Sequence, residues 1–143
     1  MKYNYCLSII LCLAAFGSCG TPKATGDSGF PYATTWELDF ISGTRIAFEG
    51  LFPDRKPVLT FNAGEGTASG NSGCNGYTAP VEISGNRIEF GQPGPSTMMY
   101  CGPGENQFRE MLQKVNRWEV NSNGKLTLLL GDIPMLRFKK ASP

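Results

Sequence analysis

The sequence predicts a mainly β domain, a small antiparallel β-barrel or strongly bent sheet with one amphipathic α-helix covering an open end. From residue 36 to residue 140, short apolar or alternating runs are separated by turn residues, at the spacing of a strand meander. A single segment departs from this pattern and repeats its apolar residues at helical spacing. A sheet that closes on itself, or is covered by a helix, also protects its edge strands.

Ten segments have the apolar or alternating character of strands and are bounded by turn residues. They are Trp36–Ile41, Arg45–Phe48, Val58–Asn62, Thr67–Asn71, Ala79–Ser84, Arg87–Phe90, Ser96–Cys101, Trp118–Asn121, Lys125–Leu130 and Met135–Lys139. Gly85 and Asn86 predict a hairpin between two of them. Asn123 and Gly124 predict another, through a type I′ turn, because both residue types tolerate positive φ angles.

The helical segment is Glu105–Val115, which follows Pro103 and Gly104. Its apolar residues recur at one face of a helix: Phe108, Met111, Leu112 and Val115. Two acidic–basic pairs four residues apart are expected on the solvent side: Glu105 with Arg109, and Glu110 with Lys114. An apolar stripe of this kind predicts a core-facing helix rather than a groove for a partner.

Composition excludes several classes of function. The 143 residues include no histidine, which removes Ser-His-Asp and Cys-His nucleophile systems and every His-ligated metal site. The 13 basic and 12 acidic residues nearly balance, so no basic surface is expected to bind nucleic acid. The length is that of a single domain.

The N-terminus has the pattern of a bacterial secretion signal. Lys2 precedes an apolar run, Leu7–Phe16, which is too short to span a membrane. The small residues that follow it and then Cys19 resemble a lipoprotein lipobox, which implies lipid attachment at Cys19. The alternative is ordinary cleavage just after this point, with Cys19 left as a free thiol.

These features divide the chain into a signal peptide (1–18), a lipidated cysteine with a flexible Gly-, Pro-, Ser- and Thr-rich tether (19–34), and a folded domain (35–140). No acidic residue closely follows Cys19, so we expect the lipid to anchor the protein to the outer membrane, on its periplasmic face. The protein is expected to be a monomer.

Cys6 and Cys12 leave with the signal. Cys74 and Cys101 then remain as a pair in an exported compartment that permits disulfides.

Other sequence patterns that resemble catalytic motifs are better explained by their positions in the tether, in a turn or on solvated strand faces. The Gly-Asp-Ser-Gly sequence at 26–29 lies in the tether, and the Ser-x-x-Lys sequence at 122–125 spans a predicted hairpin turn. Glu37 with Asp39, and Glu82 with Glu89, could form a glycosidase pair but read as solvated strand faces. Two thiols without histidine make a poor zinc site, so no metal or cofactor is predicted.

Two ordered motifs carry a family resemblance. Gly70–Tyr77 has the pattern G-x-x-G-C-N-x-Y, and Thr97–Cys101 has T-x-M-x-C. With Trp36 opening the domain and the helix beyond Cys101, they make the chain resemble the META domain family of HslJ-like bacterial lipoproteins. The motif residues are Gly73, Asn75, Tyr77, Thr97 and Met99. The chain departs from the family at 78–80, where members often carry a glycine and a further aromatic residue.

The resemblance implies a lipocalin-like domain of the cell envelope, with links to heat shock and antibiotic tolerance and no established catalytic chemistry. From the residues themselves, Gly70, Gly73 and Gly76 are expected to permit positive φ angles or close backbone approach, and Asn75 to close a turn. Three further residues are packing candidates: Tyr77, Met98 and Met99. Alternation along the predicted strand would send Met99 and Cys101 to the same side.

Cys74 and Cys101 are expected to form a structural disulfide that joins the Gly-Cys-Asn turn to the segment before the helix. The competing interpretation is a redox-active pair, but active dithiols usually lie close together in sequence.

The sequence therefore predicts a non-enzymatic, lipid-anchored envelope protein that binds an unknown protein or small molecule and supports stress tolerance. Nine Phe and two Trp can fill a small barrel, so binding is expected at a rim or outer face. The alternative is an inhibitor of a lysozyme- or protease-type enzyme, acting through the loops Asn62–Gly66 or Gly91–Pro95. An enzyme that uses a carboxylate pair or the cysteine pair is the third hypothesis.

Overall fold

The computed structural model describes residues 29–96 and 99–142. In this part of the chain, eight antiparallel strands form a closed barrel in sequence order, and two helices interrupt them. The elements are β1 (Thr35–Ile41), α1 (Phe48–Leu51), β2 (Val58–Asn62), β3 (Thr67–Asn71), β4 (Gly76–Ser84), β5 (Arg87–Phe90), α2 (Pro103–Lys114), β6 (Arg117–Val120), β7 (Leu126–Leu130) and β8 (Ile133–Lys140). The predicted mainly β barrel is confirmed.

Strand pairing closes the barrel between β1 and β8, where Leu38 lies opposite Phe138. The pairing between β5 and β6 is the shortest, with Arg87 opposite Arg117 as its register pair. Two backbone hydrogen bonds extend that junction: the amide of Ile88 donates to the carbonyl of Asn116 (3.2 Å), and the amide of Trp118 donates to the carbonyl of Asn86 (3.0 Å).

The barrel interior is filled with side chains. Alternation along the strands turns one face of each inward, and the largest fully buried strand residues are Trp36, Leu38, Leu59, Ile88, Leu126, Leu128, Leu136 and Phe138. Phe108 of α2 joins them, with its ring centroid 6.0 Å from that of Tyr77 and 6.4 Å from that of Phe138. The helix is therefore part of the core, as its apolar stripe predicted.

Helix α2 begins two residues before the predicted start, because Pro103 occupies its first turn, where the missing N–H costs nothing. The Glu110–Lys114 pair forms on the surface at 3.9 Å. The predicted position of Glu105 on the solvent side is wrong, since this residue is buried.

Two predicted strands are wrong. In place of Arg45–Phe48 the chain forms a loop and then α1, because Phe48, Leu51 and Phe52 are spaced for one helical face, and the latter two are buried. The other, Ser96–Cys101, forms no strand in its described residues 96 and 99–101. The backbone of Met99 is bound to the Asn75 side chain instead of a neighbouring strand.

Both predicted hairpins form, but the type I′ geometry at Asn123 and Gly124 is wrong. In the described chain only glycines have positive φ, and Gly124 is one of them (71°), so Asn123 does not meet the I′ requirement. The Asn121 side-chain oxygen accepts hydrogen bonds from the amides of Asn123 (3.0 Å) and Lys125 (3.1 Å). A longer loop closed by Asn121 therefore replaces the tight turn.

The chain joins the barrel before β1. Phe30 is buried and packs edge-on against Tyr32, Phe61 and Trp118, with ring centroids 4.6–4.9 Å apart. The predicted signal peptide, Cys19 and the tether up to residue 28 lie outside the described residues. Among the helices that the structure describes, none has the length and apolar character needed to cross a membrane.

Candidate functional site

A four-residue turn, Ser72–Asn75, joins β3 to β4. The amide of Ser72 donates to the carbonyl of Asn75 (2.9 Å), and the amide of Gly73 donates to the side-chain oxygen of Asn71 (3.0 Å). Gly73 has φ of 104°, and a Cβ there would lie 2.9 Å from the Phe52 ring. Position 73 therefore requires glycine for two reasons: its positive φ angle, and the closeness of the Phe52 ring.

Gly70 and Gly76 flank the turn and differ in their surroundings. A Cβ on Gly70 would lie 1.8 Å from the carbonyl oxygen of Val58, so the two strands approach here more closely than any side chain allows. At Gly76 the nearest atom would be 3.8 Å away, and its φ is not positive. The expectation for the motif glycines is confirmed at Gly70 and Gly73 and wrong at Gly76.

The disulfide between Cys74 and Cys101 joins the turn to the residue just before the N-cap of α2. Their Cα atoms are 6.0 Å apart. Cys74 is half-buried and Cys101 is exposed. The predicted pairing is therefore present, and one of its sulfurs belongs to a surface residue.

Asn75 fixes the backbone of Met99. Its side-chain amide donates to the Met99 carbonyl at 2.8 Å, and its side-chain oxygen accepts from the Met99 amide at 3.0 Å. Met99 and Tyr100 nevertheless point outward, with 66% and 88% of their surface exposed. The expectation that Met99 is a packing residue is wrong, because its segment is held by a side chain rather than by a strand partner.

Tyr77 is buried, as predicted, and its hydroxyl donates to the carbonyl of Val58 at 3.4 Å. Burial raises the pKa of Tyr77 far above its usual value, so the phenol stays protonated. Tyr77 is a structural residue below the site. Of the other motif residues, Thr97, like the neighbouring Met98, lies outside the described residues.

Glu105 is the site residue that the sequence did not indicate. Only 8% of its surface is exposed, and its carboxylate accepts hydrogen bonds from the Ser72 hydroxyl and from the Asn75 amide, the latter at 2.7 Å. It lies in the first turn of α2, where the helix dipole favours a negative charge. Its position four residues after Cys101, at a helix start, was the available signal.

Two recesses flank these residues. The larger, about 320 Å³, is bordered by Phe52, Arg55, both cysteines and Glu105. The smaller, about 200 Å³, is bordered by Met99, Tyr100 and, again, Cys101 and Glu105. By contrast, Glu82 and Glu89 lie opposite each other on an exposed hairpin and border neither recess.

The motif residues that gather here agree with a family assignment. The family model for the META domain matches residues 31–143, about four fifths of the chain. The chain belongs to the META domain family. The matched range contains the Gly-Cys-Asn turn, the disulfide and Glu105, so the described site lies within the META domain.

Two solved structures share the fold of this META domain. A protein from Burkholderia xenovorans, determined by NMR, is 25% identical with a TM-score of 0.62, over 81% of this chain and 87% of that one. A second NMR structure is 18% identical with a TM-score of 0.53, over 75% of this chain and 89% of that one. No curated protein gives a significant match.

Proposed function

We propose that this META domain is a non-enzymatic binding module of the bacterial envelope. It is anchored to the outer membrane through a lipid on Cys19, and it supports envelope stress tolerance by binding a partner protein at the Met99–Cys101 segment. The observation that carries the binding role is the exposure of Met99 and Tyr100 on a backbone that Asn75 and the disulfide hold in place.

The barrel interior is a poor candidate for the binding site. Trp36, Leu38 and Phe138 are fully buried there, and Phe108 of α2 packs onto them. Side chains fill small eight-stranded barrels unless a cavity is built in. The rim beside α2 carries both recesses and the exposed Met99–Tyr100 pair, so binding there requires no change in the core.

A fixed, exposed aromatic residue suits recognition of a protein. Tyrosine is enriched among the residues that contribute most to protein interfaces. The two hydrogen bonds between Asn75 and Met99 restrict the backbone before any partner arrives, which lowers the entropy cost of binding. Loss of the Tyr100 ring is therefore expected to weaken binding more than loss of another exposed apolar side chain.

Site-specific photocrosslinking tests the binding role. A photoreactive side chain at Tyr100 is compared with one at Val120, which is 42% exposed on β6, in cells under heat stress. We expect a defined partner from position 100 alone, and at least tenfold weaker binding of that purified partner by Tyr100→Ala than by Val120→Ala. Equal crosslinking at both positions, or equal affinities, would contradict the proposal.

Processing at Cys19 tests the anchor separately. The support is the Phe16–Cys19 sequence, which resembles a lipobox. We expect the intact mass of the membrane-extracted protein to include a diacylglyceryl group, and Cys19→Ala to release the protein into the soluble fraction. Processing that globomycin does not inhibit, or recovery of the wild type in the soluble periplasm, would contradict the anchor and leave the binding proposal standing.

A second candidate function is inhibition of a lysozyme- or protease-type enzyme. It is favoured by the exposed loop Asn62–Gly66, whose Asn62 side-chain oxygen accepts from the amides of Gly64 (3.0 Å) and Glu65 (3.3 Å). A preformed loop of this kind can enter an enzyme cleft. A panel of lysozymes and proteases tests it. Inhibition that Glu65→Ala weakens would support it, and no inhibition by the wild type would remove it.

A further inference from the structure

Three metal-ligating side chains meet at the larger recess. The Sγ atoms of Cys74 and Cys101 and a carboxylate oxygen of Glu105 all lie within 4.8 Å of one another. Two are soft sulfur ligands, and the third is the buried carboxylate of Glu105, a ligand that the sequence argument against a zinc site on the two thiols did not include. In the oxidised protein the sulfurs are bonded to each other and cannot act as thiolates.

We propose that reduction of the Cys74–Cys101 disulfide turns this cluster into a site for a thiophilic divalent cation of the zinc type. Both thiolates and the Glu105 carboxylate would bind the ion, and the fourth position would face the 320 Å³ recess. Zinc sites with three protein ligands commonly keep such an open position for water or another ligand. This inference goes beyond the binding role proposed above and does not depend on it.

A dithiol serves as the reductant of the Cys74–Cys101 disulfide. One thiolate of the dithiol attacks a sulfur of the disulfide and releases the other cysteine, and its second thiol completes the exchange. The dithiol leaves as a disulfide, and Cys74 and Cys101 gain the two electrons and two protons. The cation then displaces both thiol protons to solvent as the two sulfur–metal bonds form.

The surroundings of Glu105 support its role as the third ligand. Buried carboxylates are normally paired with a cation or bound to a metal. Within residues 29–96 and 99–142, no salt bridge involves Glu105, and its partners are the neutral side chains of Ser72 and Asn75. Hydrogen bonds of this kind orient a ligating carboxylate without replacing the metal.

The backbone would hold the three ligands together after reduction. Asn75, next to Cys74, remains hydrogen-bonded to Met99, two residues before Cys101. A Cα separation of 6.0 Å allows both sulfurs to reach one ion, since zinc–sulfur bonds are about 2.3 Å long. The disulfide and the ion use the same sulfurs, so oxidation and metal binding exclude each other.

Cobalt titration of the mature protein tests the proposal, because Co²⁺ occupies zinc sites and its thiolate complexes absorb visibly. The protein is reduced with a dithiol, freed of reductant without oxygen and titrated, with the oxidised protein in parallel. We expect a saturable signal at one ion per chain in the reduced form alone, and its loss when Zn²⁺ is added. A reduced protein that behaves like the oxidised one would overturn the proposal.

Variants test the ligand set. Cys101→Ser should lose most of the thiolate–cobalt absorption, and Glu105→Gln should weaken cobalt binding at least tenfold. The matched control is Glu110→Gln, on the same helix but exposed and paired with Lys114, which should bind as the wild type does. Equal affinity in Glu105→Gln and Glu110→Gln would overturn the role of Glu105.

Folding is followed in the same samples through tryptophan fluorescence, to which the buried Trp36 and the half-buried Trp118 contribute. If the reduced protein stays folded, the titration reports the site directly. If it unfolds, Zn²⁺ is expected to restore the native emission, since metal binding and folding are then coupled. A reduced chain that neither binds cobalt nor refolds with zinc would overturn the proposal.

Discussion

Asn75 and Met99 bind each other in both directions, with the Asn75 amide donating at 2.8 Å and its oxygen accepting at 3.0 Å. The Asn75 side chain thus makes the two hydrogen bonds to the Met99 backbone that a neighbouring strand would otherwise make. Asn75 is buried and Met99 is exposed, so this contact holds a surface segment in a fixed position on the barrel.

Asn75→Ala is expected to lower the free energy of unfolding by about 1–3 kcal/mol, since it leaves polar groups of Met99 and Glu105 without this partner. The change should also expose the bond after Tyr100 to limited chymotrypsin digestion. Chemical denaturation and timed proteolysis measure the two effects. Asn106→Ala, at an exposed position of α2, is the control and should change neither.

Loss of the disulfide is expected to cost about 3–4 kcal/mol of unfolding free energy, because a link across 27 positions restricts the unfolded chain. The double variant Cys74→Ser with Cys101→Ser should show this loss in urea denaturation, and a reducing agent should not destabilise it further. A wild-type protein whose stability does not respond to reduction would contradict the expectation.

Gly70→Ala should destabilise the domain severely, because its Cβ would overlap the carbonyl oxygen of Val58 across the β2–β3 pair. Gly76→Ala is the matched control, since its new methyl group would make only an ordinary van der Waals contact, 3.8 Å from the Gly70 carbonyl oxygen, and its φ is not positive. Thermal unfolding of the two variants measures the difference. Similar melting temperatures would show that β2 and β3 can separate at little cost.

Asp39 makes stability depend on pH. Burial alone would raise the pKa of this carboxyl, but hydrogen bonds and charge attraction from Lys125 and Arg137 outweigh it and hold the pKa below its usual value. The stabilisation is thus complete above the unfolded pKa, about 3.9, and is lost as pH falls through the lower folded pKa.

Asp39→Asn is expected to cost about 1 kcal/mol at neutral pH, a modest value because both cations are partly exposed. The difference from the wild type should shrink toward zero in acid. Urea denaturation at a series of pH values measures it. Glu89→Gln, which breaks an exposed contact with Arg87, should track the wild type throughout.

Phe30 is expected to define the start of the folded unit. A chain that begins at residue 29 should be more stable than one that begins at residue 35 by about 3 kcal/mol, the scale of removing a buried phenylalanine. Phe30→Ala in the longer chain should reproduce most of the loss. Equal stability of the two chains would show that Phe30 packs without contributing.

The strands could be predicted where the local pattern of apolar and turn residues matches the strand that the barrel contains. The predicted bounds of β2, β3 and β5 match the structure, because alternation and turn residues act over a few positions. Phe30 was assigned to the tether because its Gly- and Pro-rich neighbours resemble a linker. Its partners Phe61 and Trp118 lie far along the chain, and only closure of the barrel brings them together.

The site was predictable in its parts and not in its assembly. The disulfide and the roles of Gly70 and Gly73 followed from residue type. Glu105 was assigned to solvent as the partner of Arg109 four residues later in the helix, and burial became favourable through Ser72 and Asn75, about 30 positions away. Met99 was misjudged for a related reason, since a side chain rather than a strand satisfies its backbone.

The short pairing between β5 and β6 has a consequence for local unfolding. Few hydrogen bonds cross this junction, and Arg87 opposite Arg117 is its one register pair among the described residues. Transient opening is therefore expected to begin here, with amides of Ile88 and Trp118 exchanging with solvent before those of β3 and β4. Helix α2 connects these two strands. Opening of the β5–β6 junction would therefore loosen α2, which carries Glu105, while the other strands of the barrel stay paired.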